Sequence, residues 1–200
     1  MGQTLDRMRG RGIADSARFL KTLVAAPRLT GAVAPSGRAL ARAMATAAGS
    51  PRDGFIVELG PGTGPVTGAL IENGVAEERL ALIEYDPEFC RLLKARFPHA
   101  AIIEGDAYDL ARALAAFKGQ PIAAIVSSLP LLNQPPARRV KLIGDAFALM
   151  GSQGAFVQFT YGLASPVPHD ASRYSAVRSR PILLNLPPAF VWTYRLAGRS

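Results

Sequence analysis

The sequence predicts a doubly wound α/β sandwich, and three observations carry that prediction. Apolar runs of strand length alternate with helix-patterned stretches from about residue 54 onward. The runs are apolar at successive positions rather than at alternate ones, as strands covered on both faces of a parallel sheet must be. The first run, "GFIVELG", breaks into the glycine loop "GPGTG" and then opens a helix.

Taken in order, "GIADSARFLKTLVAAP" places Ile13, Ala17, Leu20 and Val24 at helical spacing, with Phe19 and Leu23 beside them, and predicts an amphipathic helix stopped by Pro27. A second helix runs through "RALARAMATAA" to Gly49. The alternation follows: strand "GFIVELG" and helix "PVTGALIENG", strand "RLALIEYD" and helix "PEFCRLLKARF", strand "AAIIEGD" and helix "DLARALAAF", strand "PIAAIVSSL" and helix "ARRVKLIGDAFALM", then strand "GAFVQFTYG". "RPILLNLPPAFVWTYRL" holds two apolar runs joined by Pro187 and Pro188, which predicts a closing antiparallel hairpin. Residues 1–50 are expected to form a basic helical extension or lid, and 51–200 a nucleotide-type domain.

The net charge of +8 is unevenly placed. Residues 1–52 carry nine basic and two acidic side chains, whereas the remainder carries 14 and 13. An anionic surface is therefore expected to meet the N-terminal quarter. The single cysteine, Cys90, forms no internal disulfide or multi-cysteine zinc site and reads as a small core residue. The polar first dozen residues do not read as a secretory signal, and no stretch approaches the ~20 apolar residues of a membrane span. The expectation is a cytoplasmic, non-integral protein.

In a doubly wound sheet the ligand lies where the strands end. Gly60, Gly62 and Gly64 let the backbone approach it closely. The dinucleotide fingerprint G-x-G-x-x-G is broken by Pro65, and Glu58 just before the loop repels a pyrophosphate but suits a cation. Glu84 ends the second strand, where a carboxylate can accept from a ribose, and Asp106 ends the third. Each alone is also what a solvated strand end would show. Together, in this order, they resemble class I S-adenosylmethionine methyltransferases over most of residues 50–160. The fold expected is therefore the class I methyltransferase sheet with an antiparallel C-terminal hairpin and an N-terminal amphipathic extension. The resemblance implies S-adenosylmethionine as cofactor, S-adenosylhomocysteine as product and no metal. It sets Glu58 toward the methionine ammonium, Gly60, Gly62, Thr63 and Gly64 under the cofactor, Glu84 and Tyr85 at the ribose, Asp106 and Ala107 at the adenine, and Ser127 beside them.

The loop after the fourth strand, Ser127–Ser128–Leu129–Pro130–Leu131, is similar to the Asn-Leu-Pro-Tyr loop of ribosomal RNA adenine dimethyltransferases. It departs at two positions, Ser128 for the asparagine and Leu131 for the aromatic. An adenine amine shares its lone pair with the ring and needs fixed acceptors and a stacking ring, which this loop supplies poorly. On the expectation that the chain ends at Ser200, no C-terminal RNA-binding domain follows either. A saturated primary amine asks only for desolvation, loss of a proton and alignment.

The N-terminal helix, with Arg11, Arg18 and Lys21 against Phe19, Leu20 and Leu23, fits either the interface of an anionic bilayer or a lid on the core. "RFLKTLVAAPRLTGAVAPSGRALARAMA", "VELGPGTGPVT", "EYDPEF", "GDAYDL" and "SSLPLLN" together resemble the soluble, class I bacterial phosphatidylethanolamine N-methyltransferases. The resemblance implies a peripheral enzyme at the inner face of the cytoplasmic membrane that methylates phosphatidylethanolamine toward phosphatidylcholine. No nucleic-acid partner is expected. Ser128 and the Leu129 carbonyl are the candidates to orient the amine. Tyr161 either assists them or is an ordinary strand-end tyrosine. His169, Tyr174 and Arg180 are the candidates for the lipid phosphate and its proton. The rivals are an RNA adenine methyltransferase and a non-enzymatic membrane-binding module.

Overall fold

A computed structural model describes residues 35–51, 53–185 and 187–197. The described residues all lie in one compact unit that begins at Pro35. Arg11, Arg18, Phe19, Leu20, Lys21 and Leu23, predicted to meet a membrane, fall outside the described residues.

Among the described residues seven strands, numbered in chain order, form one sheet in the order β3-β2-β1-β4-β5-β7-β6. Strands β1 (Phe55–Leu59), β2 (Leu80–Glu84), β3 (Ala101–Glu104), β4 (Ile122–Ser127) and β5 (Ala155–Thr160) run parallel, and β7 (Phe190–Leu196) runs antiparallel between β5 and β6 (Tyr174–Arg178). The order reverses between β1 and β4, so the crevice for a ligand opens at their carboxyl ends.

Helix α1 (Pro35–Ala48) belongs to this sheet, although the sequence reading grouped it with the extension. Leu40, Ala41, Met44, Ala45 and Ala48 make a stripe at helical spacing, buried with Ile56, Val66, Val126, Val157 and Val191. Helix α2 (Pro65–Glu72) starts at Gly64, whose φ of 80° only glycine adopts cheaply, and Pro65 then takes a position where no amide hydrogen is needed. Helix α3 (Pro87–Arg96) is capped by Asp86, whose side chain accepts from the Glu88 amide at 2.8 Å. Helix α4 (Leu110–Ala113) is one turn, and α5 (Pro136–Met150) stops at Gly151.

The sequence placed the closing hairpin wrongly. The partner of β7 is Tyr174–Arg178, and the apolar run after Pro181 contributes a single bridge, Ile182 to Ala189. "YSAVR" is an edge strand that turns Tyr174 and Ala176 inward and exposes Ser175 and Val177, so its apolar signal is half that of a buried strand.

Candidate functional site

Glu58 is fully buried in β1. Thr67 of α2 donates its hydroxyl to Oε2 at 2.6 Å, while Oε1 has no partner among the described residues. Burial, with the nearby Glu84 adding to it, pushes this carboxyl from 4.5 to about 8, against the lowering effect of Thr67. A buried acceptor without a donor is costly and points to a donor supplied from outside, best a cation. Thr67 was missed by the sequence reading, although a polar residue one turn into the helix was its only available signal.

The glycine loop is fastened from the neighbouring strand. Glu84 accepts the Gly62 amide on Oε2 at 2.9 Å, and the Tyr85 and Asp86 amides on Oε1 at 2.8 and 3.0 Å. Three of its roughly four acceptor directions are thus spent on the chain itself. The site expected to hold a ribose also holds the loop in shape. At Gly64 an added Cβ would lie 2.5 Å from Phe97, and at Gly60 3.0 Å from Leu129 of the next loop. Arg96 donates to the Thr63 carbonyl at 2.7 Å. Tyr85 is exposed beside Glu84.

Asp106 follows β3 and is exposed. Its Oδ1 accepts the Tyr108 amide at 2.9 Å, and its Oδ2 lies 3.5 Å from Arg138 of α5. The Arg138 guanidinium rests 4.1 Å above the Tyr108 ring. Ala107 is buried, and the buried Tyr108 hydroxyl has no partner among the described residues, its pKa pushed up to about 12 chiefly by burial. Tyr108 and Arg138 were not singled out from sequence.

The acceptor loop has a defined shape. Pro130, at φ −76° and ψ 70°, centres an inverse γ-turn in which the Leu131 amide donates to the Leu129 carbonyl at 2.9 Å. The same carbonyl accepts from Gln158 Nε2 at 3.0 Å, so both its lone pairs are engaged. It fixes the loop rather than waiting for an amine. Gln158 Nε2 also donates to the Phe159 carbonyl at 2.8 Å, and the buried Gln158 Oε1 has no partner among the described residues. Two carbonyls around one end of the amide require the nitrogen there. Ser127 is buried and accepts the Leu129 amide at 3.4 Å; Ser128 is half-buried with its amide on the Leu59 carbonyl.

The remaining candidates are not gathered at one point. The Tyr174 hydroxyl donates to the Pro168 carbonyl inside the core, where it braces the loop after β5. His169 and Arg180 are exposed on that loop and after β6. Tyr161 packs edge-on against Phe159 at 5.5 Å, and its pKa is raised by burial and held back by a hydrogen bond from Asn185. Arg139 and Arg178 donate to the Pro166 and Leu163 carbonyls at 2.7 and 2.8 Å, pinning the same loop. Among the described residues no group of three or more His, Cys, Asp or Glu could hold a metal ion.

The fold is that of the class I methyltransferases. A TehB-like S-adenosylmethionine-dependent methyltransferase from Corynebacterium glutamicum superposes over 92% of this chain and 99% of its own, with a TM-score of 0.58 at 16% identity. No family model matches the sequence. An ornithine lipid N-methyltransferase from Singulisphaera acidiphila is 33% identical over 108 residues, 52% of this chain and 56% of that protein. A ribosomal RNA small subunit methyltransferase A from Chlorobium chlorochromatii is 30% identical over 112 residues, 56% of this chain and 41% of that protein. The chain thus spans about half the length of the curated relatives it matches.

Proposed function

We propose that this protein is an S-adenosylmethionine-dependent N-methyltransferase acting on the primary amine of a membrane-lipid headgroup. Phosphatidylethanolamine is the expected substrate, methylated toward phosphatidylcholine at the cytoplasmic face of the membrane. The residues fit the cofactor: the orphaned Glu58 Oε1 suits its ammonium, the glycine loop leaves no Cβ in its path, and Glu84 Oε2 keeps an acceptor direction for a hydroxyl. When bound, the cofactor supplies a methyl group on a positively charged sulfur. Asp106, Ala107 and Tyr108 would border its base.

The observation that carries the lipid reading is the acceptor loop, a γ-turn anchored in the core by Leu129 and Leu131, with a serine before it and no aromatic residue of its own to stack a base. The similarity to an enzyme named for N-methylation of a lipid supports it. At a lysine-like pKa near ~10.4, presenting the amine unprotonated at pH 7 costs roughly 4 to 5 kcal/mol. The loop meets part of that cost by excluding water, and Ser128 with Gln158 Oε1 provides acceptors for the amine's hydrogens. With both lone pairs of the Leu129 carbonyl engaged, its role is to fix the distance between the loop and the glycine turn at Gly60. Arg180 and His169, both exposed, are the remaining partners for a lipid phosphate.

A second reading, RNA adenine methylation, is favoured by the match to the ribosomal RNA enzyme. A headgroup panel tests the lipid reading: vesicles of phosphatidylethanolamine, of ornithine lipid and of phosphatidylglycerol, each with labelled cofactor. Label in the amine lipids and none in phosphatidylglycerol is the expected result; no label in any lipid refutes it.

A further inference from the structure

The connection between β6 and β7 breaks a rule of turn chemistry. The Asn185 amide donates to the Ile182 carbonyl at 3.1 Å, which closes a four-residue turn whose two central residues are Leu183 and Leu184. Such positions ordinarily go to Gly, Pro, Asn, Asp or Ser. Both leucines are nonetheless open to solvent, 75% and 78% exposed. The turn is well tied. Ile182 bridges Ala189, the buried Asn185 donates to the Pro187 carbonyl at 2.7 Å, and its side chain also bonds Tyr161.

Leu163, 70% exposed, belongs to the same edge, because its carbonyl is held by Arg178 at the end of β6. Strand β6 runs parallel to β5, so the turn lies at the carboxyl ends of the parallel strands, where the glycine loop and the acceptor loop also lie. At this end of β6 the charged side chains are Arg178 and Arg180, whereas Arg173 lies at the strand's other end, 4.0 Å from Asp170. Arg178 lies over the Phe190 and Trp192 rings at 4.9 and 5.9 Å. Exposed leucines on a braced tip, flanked by arginines, fit a surface that is apolar below and anionic above.

We propose that the Leu183–Leu184 turn, with Leu163 and the arginines beside it, is a membrane-docking edge that inserts into the headgroup layer of an anionic bilayer and turns the acceptor loop toward it. The proposal rests on the lipid reading of the substrate, and it is separate from the N-terminal segment.

The test places an environment-sensitive fluorophore at Leu184→Cys, with Leu149→Cys as control at the end of α5, next to the amino end of β5. Cys90 is buried, with its thiol pushed up to about 11 chiefly by burial, and stays unlabelled. With vesicles of phosphatidylglycerol and phosphatidylcholine, emission at position 184 is expected to rise and move to shorter wavelength while position 149 is unchanged. No change at 184 while the protein sediments with the vesicles overturns the proposal. A change without vesicles that grows with protein concentration overturns it in favour of a second copy as the occupant. The double variant Leu183→Ser, Leu184→Ser should lower methyl transfer to vesicular phosphatidylethanolamine about tenfold, and leave transfer to a monomeric short-chain form of that lipid unchanged. Equal loss on both substrates overturns the proposal. If the unaltered protein methylates neither form, the substrate reading has failed, and the fluorophore still decides whether the edge enters a bilayer.

Discussion

The two halves of the crevice are built differently. At the ends of β1 to β3 the carboxylates accept: Glu84 holds the Gly62, Tyr85 and Asp86 amides, Asp106 holds the Tyr108 amide, and Glu58 takes the Thr67 hydroxyl and keeps one oxygen unpartnered among the described residues. At the ends of β4 to β6 the traffic reverses. There Gln158, Arg139 and Arg178 donate to the carbonyls of Leu129, Pro166 and Leu163. The first half presents acceptors, as the proposed cationic cofactor requires. The second spends several donors on its own loops, and it shows outward the apolar Leu163, Leu183 and Leu184 beside Arg180. A cofactor that never varies suits the first construction, and an acceptor chosen by loop shape suits the second.

The largest expected effect breaks the first half alone. Glu58→Gln keeps the size of the side chain and removes its charge, and should weaken S-adenosylmethionine binding about 100-fold or more at pH 8 in calorimetry. The same carboxyl gives the next effect. With its pKa raised to about 8, the folded protein keeps a proton that an unfolded chain loses near 4.5. Ligand-free stability should therefore fall as pH rises between those values and level off above 8, a slope that Glu58→Gln abolishes in denaturant titrations. A cation needs the carboxylate ionised, so binding below pH 8 releases a proton and affinity should climb by up to about tenfold per unit until pH 8.

Gln158→Leu moves the comparison to the second half. It frees one lone pair of the Leu129 carbonyl and loosens the γ-turn, and should lower kcat about tenfold while cofactor affinity changes less than about twofold. An equal loss in both would show that the halves are not separable. Gly64→Ala tests the joint between loop and helix: with φ at 80° and Phe97 2.5 Å from the new Cβ, unfolding free energy should drop by about 2 to 4 kcal/mol.

The first half was legible in the sequence because its signals are local. Glu58 is a charge inside an otherwise apolar strand, Glu84 ends the next, and Asp106 follows the third by two residues. The second half was legible only in position. Gln158 is as odd in "AFVQFT" as Glu58 is in "FIVEL", yet its partner lies 29 residues earlier, and nothing along the chain names Leu129. Tyr174 read as a phosphate ligand because its hydroxyl is polar. In the fold that hydroxyl braces a loop carbonyl six residues away. "ILLNL" read as a strand on its apolar content, whereas the strand is "YSAVR" and the leucines cap a turn. Apolar runs signal burial, and an exposed apolar turn defeats that inference.

The central claim, that a cationic cofactor site is paired with a loop shaped for a lipid amine, is tested most directly by one assay. Labelled S-adenosylmethionine is offered to the full chain with phosphatidylethanolamine vesicles and with ribosomal RNA side by side. Label in the extracted lipid headgroup, with none in the RNA, is the result predicted. Label in RNA adenine with none in lipid would contradict it.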